Sequence, residues 1–144
     1  MAYWLMKSEP DVFSFDDLVA KTEKGEAEEW HGVRNYAARN NMRAMAIGDE
    51  AFFYHSNIGK EIVGIMKIVV PAHPDSTAER NAKGEVVWEC VDVQSVRPFP
   101  RPVSLAEIKA VPDLADLELV KLSRLSVSKV SEAEWQRLCA MGGL

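Results

Sequence analysis

The chain holds 144 residues, 47% of them hydrophobic and 27% charged, with 17 Lys and Arg against 22 Asp and Glu and a formal net charge of −5. That is the composition of one globular domain spanning 1–144; it excludes disorder and collagen-like repeats, and two cysteines, Cys90 and Cys139, exclude a disulfide scaffold. The longest apolar run, Ile62 to Val70, is interrupted by Lys67 and too short for a bilayer, and Met1 to Lys7 lacks a signal-peptide layout, so a cytoplasmic protein with reduced thiols and no membrane partner is expected.

Tyr3 to Met6 is expected to be the first strand, left at Lys7-Ser8-Glu9-Pro10, where Pro10 blocks further pairing. Ser14 then opens a helix, with Asp17 three residues on to complete a capping box and Phe13 stapled to Leu18. Asp16 and Asp17 complement the helix dipole there, which is a simpler role than a catalytic carboxylate pair. Trp30 stands in a polar loop outside any apolar period, and two readings stay open: a stacking platform for a base, or a plug over a barrel mouth. Asn35 is expected to cap a helix running to about Ile47 and ended by Gly48.

Asp49-Glu50 is expected to be a solvated turn before the strand Ala51 to His55, whose end presents Tyr54-His55-Ser56-Asn57. Ile62 to Val70 is predicted to be a strand buried on both faces, with Gly64 at a bulge or bend. Glu85 to Val96 is predicted to be a long strand carrying Trp88 and Cys90 into the core. Pro98, Pro100 and Pro102 mark an extended surface connector. Ser104 with Glu107 and Ser131 with Glu134 repeat the capping box, with staples Val103–Ile108 and Val130–Trp135, and Leu125 to Val127 is a short fifth strand. Such elements favour an α+β fold, a small barrel with short peripheral helices, over a doubly wound sheet.

There is no phosphate loop, no GxGxxG and no GxSxG elbow. His31, His55 and His73 are far apart, so no metal is expected, and a metal site would have to be assembled wholly by the fold. No cofactor is expected either. The acidic total speaks against nucleic acid, but the charge is uneven: residues 9 to 29 carry eight acids and two lysines, whereas 31 to 48 hold Arg34, Arg39 and Arg43 with no acid. Residues 119 to 131 are likewise basic, through Lys121, Arg124 and Lys129, and Arg97 and Arg101 lie on the proline segment.

Several segments carry a resemblance. They are Tyr3-Trp-Leu-Met-Lys-Ser-Glu-Pro10, Trp30-His-Gly-Val-Arg-Asn-Tyr36, Phe53-Tyr-His-Ser56, Ile62-Val-Gly-Ile65, His73-Pro-Asp-Ser-Thr77, Val91 to Pro102 and Ser123-Arg-Leu-Ser-Val127. In that order, across almost the whole chain, they resemble the EVE domain family of the PUA-like superfamily, to which the thymocyte nuclear protein group belongs and which is related to the YTH readers. The resemblance implies a compact PUA-like β-barrel of about five to six strands. It further implies a non-enzymatic reader of a modified base, 5-methylcytosine or its hydroxylated form, in DNA or RNA, and leaves room for an effector protein as a second partner.

Carried over, the pocket draws on Lys7, Ser8 and Glu9; on Trp30, His31, Gly32, Val33, Arg34 and Asn35; on His55 and Ser56; and on Arg124, Leu125, Ser126 and Val127. Trp30 is expected to supply the stacking face, Ser8, Glu9 and Ser126 the edge hydrogen bonds, and Leu125 or Val127 the wall facing the methyl group. Arg34, Arg39 and Arg43 are expected on phosphates. The alternatives are a general PUA-like RNA-binding module, and an enzyme of glycosylase, deaminase or nuclease type that acts on a flipped nucleotide with Glu9 as its acid or base.

Overall fold

Trp4-Leu-Met6 and Phe52-Phe-Tyr54 are buried at every position, which a sheet can bear only if both of its faces are covered. The computed structural model, which describes residues 1–144, shows that arrangement. Its strands are β1 (Tyr3–Ser8), β2 (Glu28–Glu29), β3 (Glu50–His55), β4 (Glu61–Pro74), β5 (Glu89–Ser104) and β6 (Val127–Val130). Its helices are α1 (Phe15–Glu23), α2 (Tyr36–Ala44), α3 (Leu105–Lys109), α4 (Glu118–Lys121) and α5 (Glu132–Met141), with a 3-10 turn at Pro112–Leu114. The strands form one sheet in the order β2-β5-β4-β3-β1-β6. Only the β1–β3 pairing is parallel.

Alternate residues of the central strands feed two separate cores. Trp4, Met6 and Phe53 join Phe15, Leu18, Ala38 and Met42 of α1 and α2 on one face. Leu5, Phe52 and Tyr54 join Ile108, Trp135 and Leu138 of α3 and α5 on the other. The sheet is thus a middle layer with two free ends, β2 and β6, and the expected closure into a barrel is not found.

The three serine caps fold as expected, each with both bonds of its capping box, and Asn35 caps α2 through Oδ1, which accepts from Ala38 N at 2.9 Å. Helix α2 ends at Ala44 rather than Ile47, because Asp49 rebuilds the chain beyond it. The Asp49 carboxylate is buried, not solvated; it accepts from Ala46 N at 3.0 Å, Trp4 Nε1 at 3.1 Å and Ala2 N at 3.2 Å. The proline segment is part of β5 rather than a connector. Between Pro98 and Val103 the pairing with β4 is interrupted, and Arg101 N turns instead to Gly142 O at 3.1 Å, so the missing proline N–H groups cost no ladder bond there.

Gly64 sits at an irregularity of the β4 pairings, as expected, but packing is the stronger reason for it. A Cβ there would lie 2.4 Å from Cζ of buried Phe15, whose ring meets Phe53 edge to face at 5.4 Å. Gly64→Ala is expected to cost about 1–3 kcal/mol through this overpacking. A urea midpoint equal to that of the wild type contradicts the contact.

Candidate functional site

Where β1 leaves the sheet, the loop Trp30–Arg34 faces the turn before α1 across a cavity of about 490 Å³. Eight of the residues singled out in the sequence line it: Lys7, Ser8, Trp30, His31, Gly32, Val33, Arg34 and Ser126. Val12, Phe13, Glu28 and Glu29 complete the wall. Sequence reasoning missed these four. Val12 and Phe13 look like an ordinary helix lead-in, and Glu28-Glu29 has no apolar alternation to announce a two-residue strand.

Trp30 is largely buried, packed on the sheet rather than over a barrel mouth. Its residue is 7% exposed, its ring stands edge to face on Phe53 at 5.4 Å, and its backbone N–H donates to Val91 O at 2.8 Å. It therefore forms a wall of the cavity and a part of the core together. Ser8 Oγ donates to Phe13 O at 2.6 Å, and Lys7 Nζ donates to Ser123 O at 2.8 Å. Burial pulls the Lys7 ammonium below its ordinary pKa.

The loop is held from below by Asp75, a buried residue. One carboxylate oxygen accepts from Gly32 N at 2.8 Å and from Arg34 Nη1 at 3.0 Å. The other accepts from Thr77 N at 2.7 Å and from Thr77 Oγ1 at 2.6 Å. Burial alone would raise the Asp75 pKa, but the bonds from Thr77, Gly32 and Arg34 outweigh it and hold the carboxyl at about 2. Gly32 has φ +88, a left-handed turn that lets its N–H reach Asp75.

The other expected site residues lie elsewhere. Glu9 is exposed and does not line the cavity. Asn35 serves as a helix cap. His55 Nε2 accepts from Phe15 N at 3.1 Å, at the start of α1, and burial lowers its pKa. Ser56 lines a neighbouring cavity, Arg124 points to solvent, Leu125 packs against the core, and Val127 is fully buried, so neither apolar residue walls the site.

All three arginines expected on phosphates have partners inside the chain, Arg34 on Asp75 as described. Arg43 pairs with Glu89. Arg39 donates to Val87 O at 2.9 Å and lies 4.8 Å from the Tyr36 ring, which stacks on Trp88 at 4.8 Å. Trp88 is accordingly outside the core and precedes β5, which begins at Glu89.

A donor group also assembles that no spacing announced. Glu29 of β2, His73 of β4 and Cys90 of β5 bring donor atoms within 4.8 Å of one another, because His73 and Cys90 are cross-strand partners. The two His73 nitrogens already face oxygens, Pro74 O at 3.0 Å and Asp92 Oδ1 at 2.7 Å. Burial and the neighbouring acids push the Cys90 thiol up to about 12. A metal ion would have to displace that proton and open the ring's contacts.

The EVE domain model matches residues 2–141. The chain belongs to the EVE domain family. Human thymocyte nuclear protein 1 is 39% identical over 161 residues, covering 93% of this chain and 71% of the human protein. A crystal structure of an Agrobacterium tumefaciens protein superposes with a TM-score of 0.92 at 52% identity, covering 100% of this chain and 94% of that one. The human protein crystallised in complex with DNA containing 5-methylcytosine superposes with a TM-score of 0.89 at 35% identity, covering 100% and 99%. An ASCH protein of Zymomonas mobilis, 11% identical with a TM-score of 0.56, shares the fold alone.

Proposed function

We infer that this EVE domain is a non-enzymatic reader of a 5-methylcytosine-type base in DNA, received out of the stack into the cavity beside Trp30. The observation that carries the reading is the cavity's lining. Four apolar residues, Val12, Phe13, Trp30 and Val33, stand with the carboxylates of Glu28 and Glu29, the hydroxyls of Ser8 and Ser126, and two cations. A cytosine offers an N4 amino donor, for which a carboxylate is the fitting acceptor, and its remaining edge accepts from hydroxyl or ammonium donors. Glu28 is tied to Lys21 at 2.6 Å, whereas Glu29 is held through Oε1 alone, which accepts from Ser76 N and Ser76 Oγ; its Oε2 is the acceptor assigned to N4. Apolar walls suit the base face and its methyl group. The methyl-bearing DNA in the human relative's complex supports the same ligand class.

A 2-aminopurine placed beside a 5-methylcytosine reports the proposed flipping, since it brightens when its neighbour leaves the stack. Brightening is expected with the wild type, and Glu29→Gln is expected to weaken binding about tenfold or more, within the roughly 1.5–3 kcal/mol of a hydrogen bond to a charged group. Saturating binding with no brightening overturns the flipped-base reading.

A further inference from the structure

Lys7 stands at one edge of the cavity beside Trp30. Lys7 also lines a second hollow, with Tyr54, Ser56, Asn57, Lys60 and Ser123, and Lys60 and Leu105 are shared with a third that reaches Lys109. The three hollows thus adjoin in series across the end of the β1–β3 pair, a segmented groove with Lys7, and then Lys60 and Leu105, as the walls between neighbours. None of its lysines, Lys7, Lys60 or Lys109, has a carboxylate within ion-pair distance. Lys7 is half-buried with only a backbone carbonyl for a partner, and a cation taken out of water without a counter-charge is costly. Glu61 borders this stretch, with its carboxylate over Gly59.

The backbone of the groove is unusual too. Asn57 at φ +68 and Lys60 at φ +49 are the two non-glycine residues of the chain with positive φ, and Gly59 between them has φ +88. Asn enters the left-handed region readily in turns, whereas a lysine there is uncommon. Here they turn the β3–β4 loop so that Lys60 sits at the junction of two of the hollows.

We propose that this groove carries consecutive phosphodiesters of the strand whose base enters the cavity, with Lys7 at the pocket mouth and Lys60 and Lys109 along the track. The proposal rests on the reader function above for the base itself, but the groove engages phosphates whatever the base. It replaces Arg39 and Arg43, which are occupied within the chain, as the source of backbone contacts.

The test is fluorescence anisotropy at several salt concentrations, with one duplex containing 5-methylcytosine and its unmodified twin. The proteins are wild type, Lys60→Gln/Lys109→Gln, and Lys24→Gln/Lys83→Gln as a charge-matched control away from the groove. Lys60 and Lys109 are exposed, and circular dichroism melting checks that the variants stay folded. The slope of log affinity against log salt falls by about 0.9 for every phosphate that is no longer neutralised. The groove variant is expected to reduce the slope by about 2 on both duplexes while keeping the wild-type preference between them, and the control is expected to leave it unchanged. A slope that falls with no preference for the methylated duplex in any protein supports the groove and overturns the base reading. An unchanged slope with the preference intact overturns the groove alone. Failure of the wild type to bind either duplex overturns both.

Discussion

Asp75→Ala is expected to lower the unfolding free energy by about 2–4 kcal/mol and to remove binding of a methylated oligonucleotide even where the variant remains folded. The carboxylate collects Gly32 N, Arg34 Nη1 and both donors of Thr77, so truncation leaves part-buried donors on two loops without their acceptor at once. The cost stays below that of a fully enclosed ion pair because the Arg34 side chain is 38% exposed. The pH dependence has a defined sign. A carboxyl held at about 2, below its ordinary 3.8, stabilises the fold fully above its unfolded value, and the stabilisation is lost as the pH falls through about 2. That shift corresponds to about 2 kcal/mol, so wild type and Asp75→Asn should differ most near neutral pH and converge in strong acid. Urea denaturation between pH 2 and pH 7 checks this; a gap that is constant across the range contradicts the role given to the charge.

Trp30→Ala is expected to cost about 3–5 kcal/mol, the range for deleting a large buried aromatic side chain. That is a large share of the roughly 5–15 kcal/mol typical of a domain. The effect falls on the packing with Phe53 and on the wall of the cavity together, so weakened DNA binding by this variant does not isolate a stacking contact. Trp30→Phe keeps an aromatic ring against Phe53 and separates the two effects: most of the stability is expected to return, with base preference reduced. A Trp30→Ala protein whose unfolding free energy lies within about 1 kcal/mol of the wild type contradicts the buried assignment.

The features legible in the sequence are those that local chemistry dictates. Ser14, Ser104 and Ser131 announce their helices because a cap and its third-position acid lie within one turn. The strand expected over Ile62 to Val70 is legible because its apolar run is nearly continuous, but both faces are covered only toward its start, since Lys67 and Val70 are exposed. The features that stay hidden depend on pairs distant along the chain. Asp49 reads as a turn acid until Trp4 Nε1 is found on it, and Asp75 reads as a loop acid until Gly32 and Arg34 close around it. Arg43 looks free until the sheet delivers Glu89, and Trp88 looks like a core residue until Tyr36 of α2 stacks on it outside the sheet. Closure of the sheet is hidden for the same reason: alternation gives the number of buried faces, but strand order decides whether the two ends meet. Of the candidate site, the polar end of β1 and the Trp30–Arg34 loop are legible from their residue types, while the opposite wall at Val12, Phe13, Glu28 and Glu29 comes only from the fold.

The most direct measurement is the dissociation constant of the wild-type protein for two duplexes that differ by a single 5-methyl group on one cytosine. A methyl group moved from water into the apolar wall contributes about 0.8 kcal/mol, which predicts about fourfold tighter binding to the methylated duplex. Equal constants for the two duplexes contradict the reading of this domain as a modified-base reader.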